Sequence, residues 1–304
     1  MRRFHQAASW LCACLASVPA QAQVRGVYPL GISAVAAGAL PTSGITYSNL
    51  FLFYSRDQLR GSAGELLATG RNSVLMDMNT ITWVSGHKVL RGARYSLAVT
   101  LPLANNSLTS DTEGAVSGGG GFGDSYYQPV IIGWMLARAD VKAAYGFLAP
   151  TGRFSVDAAD NVGSGYWTHV VSAGQTLYLT GNRATALSLF EMYEFHRTQE
   201  GTGIEPGQNV DLDYSLARLM TLGDDTRLQL GLVGYGQWQT TGKRGPDVTP
   251  AEASARYRIH ALGLGANLQL PSRRVSLGLR YFDEFSGRST LQGNSVQIST
   301  TITF

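Results

Sequence analysis

The sequence predicts an all-β protein: a transmembrane, antiparallel, up-and-down β-barrel of about 12 strands. Three observations carry this. Apolar and polar residues alternate with period two over segments of about ten to fifteen residues, the connections between segments alternate between short and long, and the chain closes on an aromatic residue, Phe304, inside such a segment. Composition agrees. With 44% hydrophobic, 10% aromatic and only 15% charged residues, charge is low without any gain in hydropathy, as when single apolar residues are spread between small polar ones. A disordered chain would carry fewer aromatics and more net charge, a helical membrane protein would show runs of about 20 apolar residues, and a nucleic-acid binder would be more basic than +3.

Residues 1–22 read as a cleaved signal peptide. Arg2 and Arg3 form a positive start, Ala7 to Val18 an apolar stretch too short and too interrupted by Ser17 and Pro19 for a membrane anchor, and Ala20-Gln21-Ala22 a small-x-small cleavage site. Leu11-Cys12-Ala13-Cys14 loosely resembles a lipoprotein box, but cutting there would leave almost no apolar stretch. Both cysteines fall in the removed part, so the mature chain has no disulfide, thiolate metal site or cysteine nucleophile. It keeps 22 basic against 21 acidic residues, a formal charge of +1, and is not steered to polyanions.

Twelve strands are expected near 45–56, 73–85, 91–104, 125–138, 140–150, 165–180, 184–198, 208–220, 226–240, 255–269, 274–287 and 294–304. The alternation is clear in several. Leu228, Leu230, Leu232 and Trp238 oppose Gln229, Tyr235, Gln237 and Gln239; Val210, Leu212, Tyr214 and Leu216 oppose Asp211, Asp213, Ser215 and Ala217. Tyr95, Leu97, Val99, Leu101 and Leu103 oppose Arg94, Ser96, Ala98 and Thr100, and Val275, Leu277, Leu279 and Tyr281 oppose Ser276, Gly278, Arg280 and Glu284. In 45–56 and 73–85 both faces carry large apolar residues, and in 255–269 the apolar face switches near His260, where a bulge would account for it. Ala139-Asp140, 181–183, 221–225 and 270–273 read as short turns; 105–124, 151–164, 199–207 and 241–253 read as long loops, with the four glycines of Ser117 to Asp124 forming a flexible loop before a strand. Short turns on one rim and long loops on the other are how an outer-membrane barrel is built.

A soluble secreted β-sandwich also alternates, but its strands average about five or six residues. The last segment places Val296, Ile298, Ile302 and Phe304 opposite Gln297, Ser299, Thr301 and Thr303. Gln297, Ser299, Ile302 and Phe304 resemble the C-terminal assembly signal of outer-membrane barrels, with Ser299 where glycine is usual.

Catalysis has little support. His87, His169, His196 and His260 form no metal pair, and none has a serine two residues on, as outer-membrane phospholipases do. Glu191 has strand parity opposite to Glu194 and His196, so these three suit rim or lumen salt bridges better than one site. The glycine run lacks the Gly-Lys-Ser/Thr ending of a phosphate loop. No cofactor or metal is expected. Parity instead sends Arg94, Lys142, Asp211, Asp213, Gln229, Gln237, Arg280, Glu284 and Gln297 into the lumen, where they limit what passes or simply brace the barrel.

Residues 23–44 form a separate N-terminal segment ahead of the barrel at 45–304. Tyr28, Leu30, Ile32, Val35 and Leu40 make it apolar, while Gly26, Gly31, Gly38, Pro29 and Pro41 prevent a long helix or strand. Such a segment needs cover, either as a plug in the lumen or as a disordered leader on the periplasmic side.

Pieces along the whole mature chain resemble the outer-membrane barrels of the meta-pathway of phenol degradation family. These include Tyr28-Pro29-Leu30-Gly31, Gly121-Phe122-Gly123-Asp124, Gly133-Trp134, Leu148 to Phe154, Tyr166-Trp167, Tyr193-Glu194-Phe195, Asp213-Tyr214 and Arg280 to Phe285. The resemblance implies uptake of small hydrophobic or aromatic compounds. The expected protein is therefore an outer-membrane channel in contact with lipid, the barrel-assembly machinery and aromatic solutes, and not with nucleic acid. The alternatives are a general small-solute porin, a structural barrel, or an outer-membrane enzyme.

Overall fold

The computed structural model describes residues 25–110, 114–156, 158, 160–246 and 248–304. The leader 1–22 and its cleavage near Ala22 lie outside the described residues. The strands are β1 (Gly44–Arg60), β2 (Leu66–Val89), β3 (Ala93–Ser110), β4 (Gly114–Phe122), β5 (Ser125–Met135), β6 (Ala139–Ala149), β7 (Thr168–Tyr178), β8 (Thr185–His196), β9 (Asn209–Gly223), β10 (Thr226–Gln239), β11 (Arg258–Leu270), β12 (Val275–Arg288) and β13 (Thr290–Thr303). All but β4 join one antiparallel ring: β2 pairs with both β1 and β3, and β1 meets β13, so the twelve-stranded barrel has no open edge. Closure brings the C-terminus to the first strand, where the Phe304 N–H donates to the Ile45 carbonyl at 2.9 Å. The start of β1, the C-terminus and the turns at 90–92, 136–138, 179–184, 224–225 and 271–274 share one rim, the periplasmic one; the loops at 150–167, 197–208 and 240–257 share the other.

Outward side chains form an apolar band. Leu232 (60% exposed), Leu264 (65%) and Ile298 (53%) would be costly in water and belong in lipid. Aromatic residues ring both ends of the band: Trp83, Tyr95 and Trp134 near the turns, and Trp167, Phe195, Trp238 and Phe285 near the loops. Among the described residues no helix is long and apolar enough to cross a membrane.

Three sequence expectations change. The 105–124 connection is not simply a flexible loop: β3 runs on to Ser110 and β4, with its glycines, pairs back onto the part of β3 that β5 does not reach. An extended β3 would otherwise show a free edge above the rim, and the returning chain satisfies it. Ala139-Asp140 is not a turn; both residues already pair with β7, at Leu177 and Thr176, and the turn lies at 136–138. Asp140 is an inward, buried residue that accepts the Tyr178 hydroxyl at 2.6 Å. Finally, β11 keeps one parity throughout: Ile259 and Ala261 point inward, fully buried, while Leu262 and Leu264 point out. The extra residue lies in β12, where Ser286 has φ of 54° and the register against β11 shifts. The inner face of β11 is apolar because something inside covers it.

Candidate functional site

That cover is the segment 25–43. Its glycines and prolines deny it a ladder of its own, so apart from two short turns, Ala34 N–H to Gly31 and Ala39 N–H to Ala36, its backbone groups need partners from the wall. At the loop end, the Arg25 guanidinium donates to both carboxylate oxygens of Glu284, at 2.6 and 2.9 Å, and its Nε donates to Thr290 Oγ1 at 3.1 Å. The Gly26 N–H donates to the Tyr257 hydroxyl at 2.6 Å, and the Val27 and Tyr28 N–H groups donate to Glu194 at 3.0 and 2.7 Å. Asp213 receives three donors: the Tyr28 hydroxyl at 2.7 Å, Gly31 N–H at 2.9 Å and Ser33 N–H at 3.0 Å. Lower down, Gln297 donates to the Leu30 carbonyl and Ser215 to the Ala34 carbonyl, each at 2.7 Å, and the Gly38 N–H donates to Thr176 Oγ1 at 3.0 Å. The segment thus descends from the loop end to the turn end before β1 begins.

Apolar packing follows the same path. The Tyr28 ring stacks on Phe190 at 5.4 Å, and Leu30, Ala34 and Ala37 join a buried cluster with Val233, Tyr235, Ile259, Ala261 and Phe282. Gly31, at φ of 86°, lies so close to Phe282 that a Cβ would come within 2.6 Å of its ring. Ile32 and Val35 pack against the cluster from outside it. At the turn end Leu40 fills the space over Gly133, and the Ala37 carbonyl occupies the space over Gly174.

On the other side of the segment lies a cavity of about 570 Å³. Its walls are apolar for most of their extent: Leu50, Met76, Met78, Ile131, Phe190 and Met192, with Ile32 and Leu40 from the segment. The lining reaches from Asp124, Gly163 and Ser164 at the loop end to Pro41, Thr82 and Lys142 near the turn end. At the mouth, Asp124 accepts the Gly152 N–H, the Ser164 N–H and the Ser164 hydroxyl at 3.0, 2.7 and 2.6 Å, which folds the 150–167 loop over the opening. Tyr166 lines the same mouth; burial first, then the Glu194 and Asp124 charges, hold its hydroxyl well above the ordinary phenol range, so it stays neutral.

The residues expected in the lumen divide into groups. Asp213, Glu284 and Gln297 hold the segment, as above. Gln237 donates to Asp211 at 2.6 Å, both fully buried on the segment's anchored side, and Arg280 reaches Gln297 at 3.5 Å. Lys142 faces the cavity, while Arg94 and Gln229 are half-buried and make no side-chain hydrogen bond among the described residues. Of the C-terminal four, Gln297 is buried, Ser299 sits against Gly278, Ile302 pairs with Tyr47 and Val275, and Phe304 is 67% exposed at the turn rim. Glu194 and His196 lie 3.1 Å apart inside the barrel, with Asn209 bonded to both and Thr168 to the histidine; Glu191 points the other way and meets Gln175 at 3.0 Å. Among the described residues no group of histidine, cysteine and carboxylate side chains is arranged to hold a metal ion. Sequence reasoning passed over the cavity wall itself: inward Met76 and Met78 fall in 73–85, where both faces carry large apolar residues and the alternation gives no direction.

A closed ring of twelve lipid-facing strands with a covered interior defines an outer-membrane β-barrel, and the outer membrane is where this protein resides. The family described as "Putative MetA-pathway of phenol degradation" matches residues 56–300, and the chain belongs to it. The fold is also similar to a crystal structure of an outer membrane channel from Pseudomonas putida F1, at 15% identity and a TM-score of 0.71, covering 88% of this chain and 97% of that one. The β-domain of a Bordetella autotransporter is more distant, at 12% identity and a TM-score of 0.52, covering 86% of this chain and all of that one. No curated protein matches the sequence.

Proposed function

We propose that the barrel is a passive channel for small hydrophobic, aromatic molecules, with residues 25–43 as its plug. The observation that carries this is the cavity of about 570 Å³ between the plug and the β1–β8 wall, of the size and mostly apolar character of small-molecule sites. Membership of a family described by phenol degradation supports the solute class. The bonded acids and amides on the opposite side close the rest of the lumen and limit ions and sugars. Residues 1–22 are removed on export, and Gln297, Ser299, Ile302 and Phe304 serve the assembly machinery.

The test is uptake of radiolabelled toluene by cells with an intact lipopolysaccharide leaflet, with and without the protein, and with sucrose as the polar comparison. The expected result is faster toluene uptake with sucrose unchanged, and a rise in sucrose and ion flux when residues 23–43 are removed. Sucrose and ion flux already high in the full chain would make it a general porin; no flux of either kind would make it a structural barrel.

A further inference from the structure

We propose that the cavity takes an amphiphilic anion, an aromatic carboxylate, with the carboxylate on the Lys142 ammonium and the ring among the methionines above it. This rests on the channel reading and names the solute class for that same cavity. Three charged side chains line the space: Arg25, Asp124 and Lys142. Arg25 is held by Glu284, and Asp124 by Gly152 and Ser164. Lys142 alone has no ion pair or hydrogen bond among the described residues. Asp140, the acid two residues back on the same face, is taken by Tyr178 at 2.6 Å and Arg183 at 3.6 Å.

The surroundings preserve this isolation. Lys142 is paired in register with Gly133 on one side and Gly174 on the other, so neither neighbouring strand offers a side chain. Leu40 and the Ala37 carbonyl fill the places over those glycines, and the lysine stem passes Gly174 with its Cε about 3.2 Å from where a Cβ would stand. Apart from Asp140, the buried lumen acids Glu194, Asp211, Asp213 and Glu284 are on β8, β9 and β12, and Glu194, Asp213 and Glu284 bond the plug directly. An unpaired ammonium facing an apolar space is costly to keep unless a ligand supplies its counter-charge. A carboxylate does so with a charge-assisted hydrogen bond. A neutral solute would leave the lysine as it is.

The test is calorimetric titration of the refolded full-length barrel in detergent with benzoate and with its neutral counterpart, benzyl alcohol. The wild type is expected to bind benzoate more tightly than benzyl alcohol. Lys142→Met should weaken benzoate about tenfold or more, as the loss of a charge-assisted hydrogen bond does, and Lys142→Arg should retain it. Heat-modifiable gel migration reports that each variant is folded. Equal benzoate affinity in Lys142→Met, or a wild type that binds benzyl alcohol as well as benzoate, would overturn the proposal. Toluene uptake by the Lys142→Met barrel separates the two readings: if it stays at the wild-type level while benzoate binding ignores the lysine, only the anion proposal falls, and if the wild-type barrel never speeds toluene, the channel reading falls.

Discussion

The segment 25–43 meets the two sides of the barrel by different means. Towards β8–β13 it is held by carboxylates, an amide and hydroxyls that bond the Gly26, Val27, Tyr28, Gly31 and Ser33 N–H groups and the Leu30 and Ala34 carbonyls, with Asp213 alone taking three donors. Towards β1–β6 the wall offers methionines, small residues and threonines, and a cavity is left. A chain without secondary structure lies only where its N–H and C=O groups find partners. One wall therefore fixes the segment's position, and the other is free to be shaped for a guest.

Breaking the anchored side should have the largest effect. Asp213→Ala leaves two buried donors, the Tyr28 hydroxyl and the Gly31 N–H, without an acceptor, each costing roughly 1–3 kcal/mol, while the Ser33 N–H keeps the Tyr28 hydroxyl at 3.2 Å. We expect clearly lower thermal stability, together with higher single-channel conductance in planar bilayers as the segment loosens. Conductance unchanged in a destabilised but folded Asp213→Ala barrel would mean that the anchoring does not close the lumen. Arg25→Gln removes one partner of a buried ion pair and leaves Glu284 with Tyr235 and the Gly293 N–H, a loss of about 3 kcal/mol or more. Its conductance increase should be smaller than that of Asp213→Ala, because only the loop end of the segment is released.

The open side is tested with Ala98→Phe, which fills cavity space on β3 without touching the hydrogen-bonded wall. Toluene uptake should fall several-fold while conductance stays near wild type, and overpacking should cost about 1–3 kcal/mol. An equal loss of stability and of sealing in this variant would erase the distinction between the walls. The smallest effect belongs to a contact on neither wall. Asp225 accepts the Ser272 N–H at 2.7 Å and ties two periplasmic turns, and the Ser272 hydrogen bonding holds its carboxyl below the ordinary range. The stability it adds is present above the unfolded carboxylate range and is lost as pH falls through the folded value. Asp225→Asn should thus be slightly less stable than wild type at neutral pH and equal to it in acid, with no change in conductance.

Much of the barrel was legible because lipid on one side and a polar lumen on the other enforce period two. That held best in β9 and β10, where Asp211, Asp213 and Gln237 face in and Leu216, Leu230 and Leu232 face out. It was weakest where the inner face is itself apolar. Leu52 and Tyr54 on β1 and Ile259 on β11 face the segment, so alternation fails as a guide there although the strands are regular. Lys142 could be assigned inward from parity, but its isolation depends on Gly133 and Gly174, which become neighbours only through strand register. The β4 return was illegible for another reason: a glycine-rich stretch carries no side-chain pattern, and its pairing follows from the free edge of β3.

Because Arg25 sits beside Thr290 and Glu284 at the loop rim while Phe304 lies at the turn rim, the first and last described residues face opposite compartments. A peptide tag joined ahead of Arg25 is presented to the cell exterior through the loops, and one joined after Phe304 is presented to the periplasm. Antibody labelling of unbroken cells would read the thread of the chain through its own barrel, without reference to any solute.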